Sequence, residues 1–121
     1  MTHPDFQAAF EALRPILKKF ESKLNVVADT KVKYYLDGAY DEKRKAPIFF
    51  GAVIIKKNYV SFHLMPLYCC PELQQTLSPA LQKHKQGKAC FNFKKADPAL
   101  FKELAALTKN GFDRFKKAGL I

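Results

Sequence analysis

Cysteine is scarce in this chain, and two of its three cysteines are adjacent, Cys69 and Cys70. A disulfide framework needs an even, spaced set, and neighbouring cysteines bridge only with strain. Reduced thiols are expected, as in a cytosol. Long hydrophobic runs are missing too. The longest, Ile48 to Ile55, is less than half of the ~20 residues that a membrane-spanning helix needs. Met1-Thr2-His3-Pro4-Asp5 has neither the basic start nor the apolar run of a secretory signal. These absences predict a cytoplasmic protein with no membrane partner. Glycine and proline, 5 and 7 residues, are scattered singly and form no low-complexity tract. There is no glycine-rich phosphate loop, no G-x-S-x-G and no H-E-x-x-H. Acids are few, and Asp29, Asp37, Asp41 and Glu42 stand at no spacing that suits acid–base work. No enzyme activity, cofactor or catalytic residue is expected.

What the chain does have is apolar mass. Hydrophobic residues make up 48% of 121, with 11 Phe and 5 Tyr. That supports the core of a single domain spanning residues 1–121. It also has positive charge: 21 Lys plus Arg against 11 Asp plus Glu, a net +10. From Lys83 to Ile121, ten basic residues oppose Asp97, Glu103 and Asp113, so this third holds seven of the ten net charges. Such a field attracts anionic ligands and polyanions, and it also keeps a protein dissolved.

Periodicity places the elements. Phe6, Phe10, Leu13, Leu17, Phe20 and Leu24 recur at helical spacing, with Pro15 predicting a kink near Arg14. Asn25–Thr30 and Val32–Leu36 read as strands, Asp37-Gly38 as a turn, and 41–45 as a charged loop. Pro47–Lys57 and Tyr59–Met65 read as a hairpin. Pro71 opens a helical region carrying Leu73, Leu77 and Leu81. Ser78-Pro79 divides it into two short helices in tandem. Lys88–Lys95 alternates as a strand. Asp97-Pro98 caps a last helix whose stripe is Leu100, Leu104, Leu107, Gly111 and Phe115, widened by Phe101, Thr108 and Phe112. The order is α-β-β-β-β-α-β-α. The expected class is α+β, a mostly antiparallel five-stranded sheet with helices mainly on one face. Phe6, Phe10, Leu13, Leu17, Phe50, Phe62, Phe91, Phe93, Leu104, Leu107 and Phe115 form the expected core.

The runs KKNYVSFHLMPLY (56–68), PELQQTLSPAL (71–81) and GKACFNFKK (87–95) resemble the bacterial YdhG-like domain family. The N-terminal helix and KYYLDG (33–38) also fit, so the resemblance covers nearly the whole chain. The family is mostly of unknown function, and one branch, similar to frataxin, is described as an iron chaperone. The pattern contains no catalytic signature, so it bears on fold more than on chemistry. Asn58 stands where many relatives carry His, and Leu36-Asp37-Gly38 where they carry prolines.

Alternation sets Ser61, His63 and Met65 opposite Val60, Phe62 and Leu64, and Cys90 and Asn92 opposite Phe91 and Phe93. If helices cover the Phe faces, Ser61, His63, Cys90 and Asn92 share the other sheet face, which suits a small or anionic ligand. A loop or a second copy closing that face over an inert His63 is the plainer alternative. Tyr34, in the preceding strand, and Lys57, at the hairpin turn, complete the candidate set. Cys69, Cys70, Cys90 and His63 lack metal-ligand spacing, so no metal is expected. Frataxin-like iron carriage would need clustered carboxylates. The one acidic cluster, Asp37, Asp41 and Glu42, is followed at once by Lys43, Arg44 and Lys45. Lysines around Phe91 and Phe93 admit weak nucleic-acid binding as a further alternative, though without the full nucleoprotein signature. A protein partner remains open, as does a monomer or a homodimer.

Overall fold

Pro4 and Pro98 open the two long helices of the computed structural model, which describes residues 4–121. Proline suits a first helical turn because its ring presets φ and its missing N–H would have no intrahelical partner there. Helix α1 (Pro4–Lys18) buries Ala9, Phe10, Leu13 and Leu17 and runs through Pro15 without ending. Phe20 and Leu24, expected in its stripe, instead flank a short 3₁₀ helix, Glu21–Lys23. Asp97 caps the C-terminal helix (Pro98–Lys117) by accepting from the Leu100 amide, and that helix buries Leu100, Phe101, Leu104, Leu107, Thr108, Gly111, Phe112 and Phe115.

Between the long helices the chain builds one sheet. Its strands are β1 (Asn25–Asp29), β2 (Lys33–Asp41), β3 (Ala46–Ile55), β4 (Val60–Leu64), β5 (Lys85–Gln86) and β6 (Cys90–Phe93). They lie in the order β1-β2-β3-β4-β6-β5, every pair antiparallel. The α+β class and the antiparallel sheet agree with the sequence reading. The count of five strands and the element order do not. The sixth strand, β5, has two residues, too few to show alternation. Gly87, at φ 73, turns it back into β6. The two expected tandem helices are a 3₁₀ helix (Pro71–Thr76) and α3 (Pro79–Gln82), and an unexpected short helix, α2 (Pro66–Cys69), precedes them, each begun by a proline. The C-terminal helix is therefore α4.

Asp37-Gly38 is not the expected turn but lies within β2. The glycine serves the approach of the C-terminus. A Cβ at Gly38 would stand 2.6 Å from the Leu120 carbonyl oxygen, and the Ala39 amide donates to that same oxygen at 2.8 Å.

The core lies between one sheet face and the long helices. Tyr34, Leu36, Phe50, Val53, Phe62, Leu64, Phe91 and Phe93 from the strands meet Phe10, Leu13 and Leu17 of α1 and Leu104, Phe112 and Phe115 of α4. Phe50 takes the edges of two α4 rings, Phe112 at 6.1 Å and Phe115 at 5.6 Å, an arrangement aromatic quadrupoles favour. Of the expected core set, Phe6 alone is partly exposed, packed against the rest.

Candidate functional site

Strand alternation leaves a second sheet face, and among the described residues no helix lies across it. Its registers align the polar residues. Ser61 stands opposite Asn92, His63 opposite Cys90, and Ala52 opposite His63 on the other side. In the middle of this face Ala52 and Ser61 are buried, while His63, Cys90 and Asn92 are partly exposed.

Three of these side chains form a chain of contacts. The Cys90 Sγ is 2.8 Å from His63 Nδ1, and His63 Nε2 is 2.7 Å from Ser61 Oγ. Burial, and after it the Lys56 ammonium, hold His63 below its usual pKa. Burial holds the Cys90 thiol above its usual pKa, with Lys56 opposing. At neutral pH both groups are therefore uncharged, a thiol beside an imidazole. Either imidazole tautomer satisfies both contacts, and in one of them the thiol donates to Nδ1 while Nε2–H donates to Ser61 Oγ.

Beside this chain the face becomes aromatic. Tyr35 and Phe49 lie with ring centroids 4.7 Å apart, and Phe49 meets the His63 ring at 6.4 Å, edge on. Lys33 sits over the Tyr35 ring at 5.3 Å. Phe49 reaches this face through a bulge. Leu36 pairs with Gly51 but Asp37 pairs with Phe49, so β3 has one extra residue at Phe50. Phe50 and Gly51 both turn to the core, and Phe49 turns away from it. Tyr35, Phe49, Asp37 and Arg44 then line a cleft of about 470 Å³, closed at one end by Tyr68 and Cys69 of α2. Burial raises the Asp37 carboxyl above its usual pKa, and burial with Asp37 raises the Tyr35 phenol.

The structure brings Ser61, His63, Cys90 and Asn92 onto one face, and it separates Tyr34 and Lys57 from them. Tyr34 points the other way. Its ring is in the core, and its hydroxyl donates to Glu21 Oε2 at 2.6 Å. Lys57 is exposed in the tight turn joining β3 to β4. One residue back, Lys56 is the cation that acts on His63 and Cys90. Asn92 opens toward a different cleft of about 570 Å³ with Tyr59, His84, Lys94 and Lys95. There Asp5 and Asp97 oppose the two lysines, and the His84 ring is already stacked on Phe93 at 4.7 Å. Phe91 and Phe93, the rings that the sequence set among lysines, are core residues and offer no face to a base. Residues missed by sequence reasoning are Tyr35, Phe49, Arg44, Lys56 and Tyr68. The isolated Gly51 inside a strand was the available signal for the bulge.

No described group of three or more His, Cys, Asp or Glu side chains is placed to hold a metal ion. No helix among the described residues is long and apolar enough to cross a membrane. Comparison with protein-family models, curated proteins and solved structures finds no match.

Proposed function

We propose that the uncovered sheet face binds a small planar ligand carrying an acidic group, in the cleft between the β2–β3 hairpin and α2. The observation that carries this is the close, tilted Tyr35–Phe49 ring pair in a cleft of about 470 Å³ that also contains Arg44. That volume suits a small molecule, and apolar walls with a few convergent polar groups are the usual composition of a ligand site. The three rings, Tyr35, Phe49 and Tyr68, supply flat apolar surface to a planar ligand. Arg44 offers a planar fork to a carboxylate, and Asp37 accepts a ligand N–H or O–H. The net charge of +10 draws anions toward the protein. This reading keeps the protein a cytoplasmic binding domain, with the YdhG-like resemblance as part of the same proposal.

Calorimetric titration with 4-aminobenzoate and 2-naphthoate, with benzylamine as the cationic control, tests it. The two acids should bind, and Arg44→Ala should weaken them about tenfold, the value of one charge-assisted hydrogen bond. Tighter binding of benzylamine than of either acid, or no effect of Arg44→Ala, would contradict the proposal.

A further inference from the structure

The Ser61–His63–Cys90 chain lies beside the cleft and asks a separate chemical question. A nucleophile, a base within hydrogen-bond reach of it, and a third group that orients the base are the parts of an activated thiol. Here they are Cys90 Sγ, His63 Nδ1 at 2.8 Å, and Ser61 Oγ at 2.7 Å from the other ring nitrogen. Cys90 is partly exposed, so an electrophile can reach its sulfur. We propose that Cys90 is a nucleophile activated by His63, and that it adds to small alkenes conjugated to a carbonyl.

The step conserves atoms and electrons without an oxidant. As sulfur bonds to the β-carbon, the thiol proton moves to His63 Nδ1. The alkene π pair shifts onto the carbonyl oxygen as an enolate, whose charge Lys56 offsets. His63 then returns the proton to the α-carbon, and the product is a thioether. Ser61 is a positioning residue that holds the imidazole in the base-competent tautomer.

Two features favour conjugate addition over acyl transfer. Acyl transfer needs free backbone amides for a tetrahedral oxyanion. Around Cys90 they are committed to the sheet: Leu64 N–H donates to Ala89 O at 2.8 Å, and Asn92 N–H donates to His84 O at 2.9 Å. Cys90 itself stands between His63 and Gln86 in the ladders on either side. The resting pair is also neutral, since burial raises the thiol and lowers the imidazole. A thiol of raised pKa is the stronger nucleophile once its proton leaves, and neutral His63 is ready to take that proton.

N-ethylmaleimide, itself an activated alkene, is the probe, with alkylation read by intact mass in a Cys69→Ser, Cys70→Ser background. Each rate is measured natively and in urea. At pH 7 the native Cys90 rate should exceed the unfolded rate by ~10-fold or more, in line with general-base assistance. The native rate should level off above the His63 titration, whereas an unassisted thiol gains about tenfold per pH unit until it ionises. His63→Gln should remove both the excess and the levelling, and Ser61→Ala should reduce the excess while keeping the shape. A native rate at or below the unfolded one, or a native profile climbing about tenfold per unit through pH 8, overturns the proposal. Both of those outcomes are read on native His63, so the test stands even if His63→Gln does not fold. Neither requires that the neighbouring cleft hold a ligand.

Discussion

At His63, burial and the Lys56 ammonium act in the same direction, and both disfavour the imidazolium. The stability consequence has a definite sign. In the unfolded chain His63 takes up a proton near its ordinary value, about 6.5, whereas in the folded protein it does so only at lower pH. Below about pH 6.5 the unfolded state binds more protons, so stability is present above that value and lost as pH falls through the depressed one. Thermal unfolding from pH 8 to pH 5 should therefore show a falling Tm, and His63→Gln should flatten that fall. An unchanged acid slope in the variant would contradict the burial argument. Tyr34 shows the opposite case on the other face. Burial, then its bond to Glu21, push its phenol well above the usual range, so its contribution is full below about pH 10 and lost in stronger alkali. Position in the strand separates these two residues, and alternation made His63 legible in the sequence. Tyr34 was misplaced because the residue type suits a site and a core equally well.

At the scale of elements, close approach decides the packing. Helix α4 crosses α2 where Gly111 meets Pro66. A Cβ at position 111 would stand 2.7 Å from the Pro66 Cβ and 2.9 Å from its Cγ. A proline ring cannot rotate away, so Gly111→Ala should force the two helices apart. The expected cost is about 1–3 kcal/mol, read as a lower urea midpoint with an unchanged slope. A variant as stable as the parent would show that α2 yields freely. Because α2 carries Tyr68 and Cys69, the same substitution should also disturb the cleft. The long helices were legible because their stripes recur over several turns and their starts carry Asp-Pro or Pro signals. The segments between residues 66 and 86 were only partly legible. Helices of four residues and a strand of two are too short for a period to declare itself, and tertiary contacts set them instead: Ser78 N–H and Oγ both donate to Glu103 of α4, at 2.8 and 2.6 Å. The bulge at Phe50 had the same origin. The expected core includes Phe50 correctly, but only pairing with β2 shows that the register slips there, so that Val53 also faces the core and Phe49 faces outward.

Across the whole molecule, shape and charge act together. Helices occupy one sheet face, and the other keeps rings, a thiol–imidazole pair and flanking cations. Lys102, Lys109, Arg114, Lys116 and Lys117 are exposed on the outer arc of α4, away from its buried stripe, as 3.6-residue geometry requires. Two carboxylates meet them there, Asp113 against Lys109 at 3.5 Å and Glu72 against Arg114, and exposed pairs of this kind contribute little. A charged helix surface whose own rings, Phe101, Phe112 and Phe115, are buried should bind single-stranded RNA weakly and without regard to sequence. Affinity should fade with salt by roughly 0.7 in the log–log slope per phosphate neutralised. Fluorescence polarisation at ~150 mM salt, where screening sets in beyond ~8 Å, should find no sub-micromolar binding. Sub-micromolar binding abolished by Lys88→Ala or Lys94→Ala would assign the charge to nucleic acid instead. We place the ligand of this protein on the uncovered face, at its aromatic end. The most direct measurement is heteronuclear NMR of the labelled protein titrated with 2-naphthoate. Saturable shifts should gather at Tyr35, Arg44, Phe49 and Tyr68 and fade toward β1 and the outer arc of α4. Shifts gathered instead at Tyr59, His84 and Lys94, or spread evenly over the lysine surface, would contradict it.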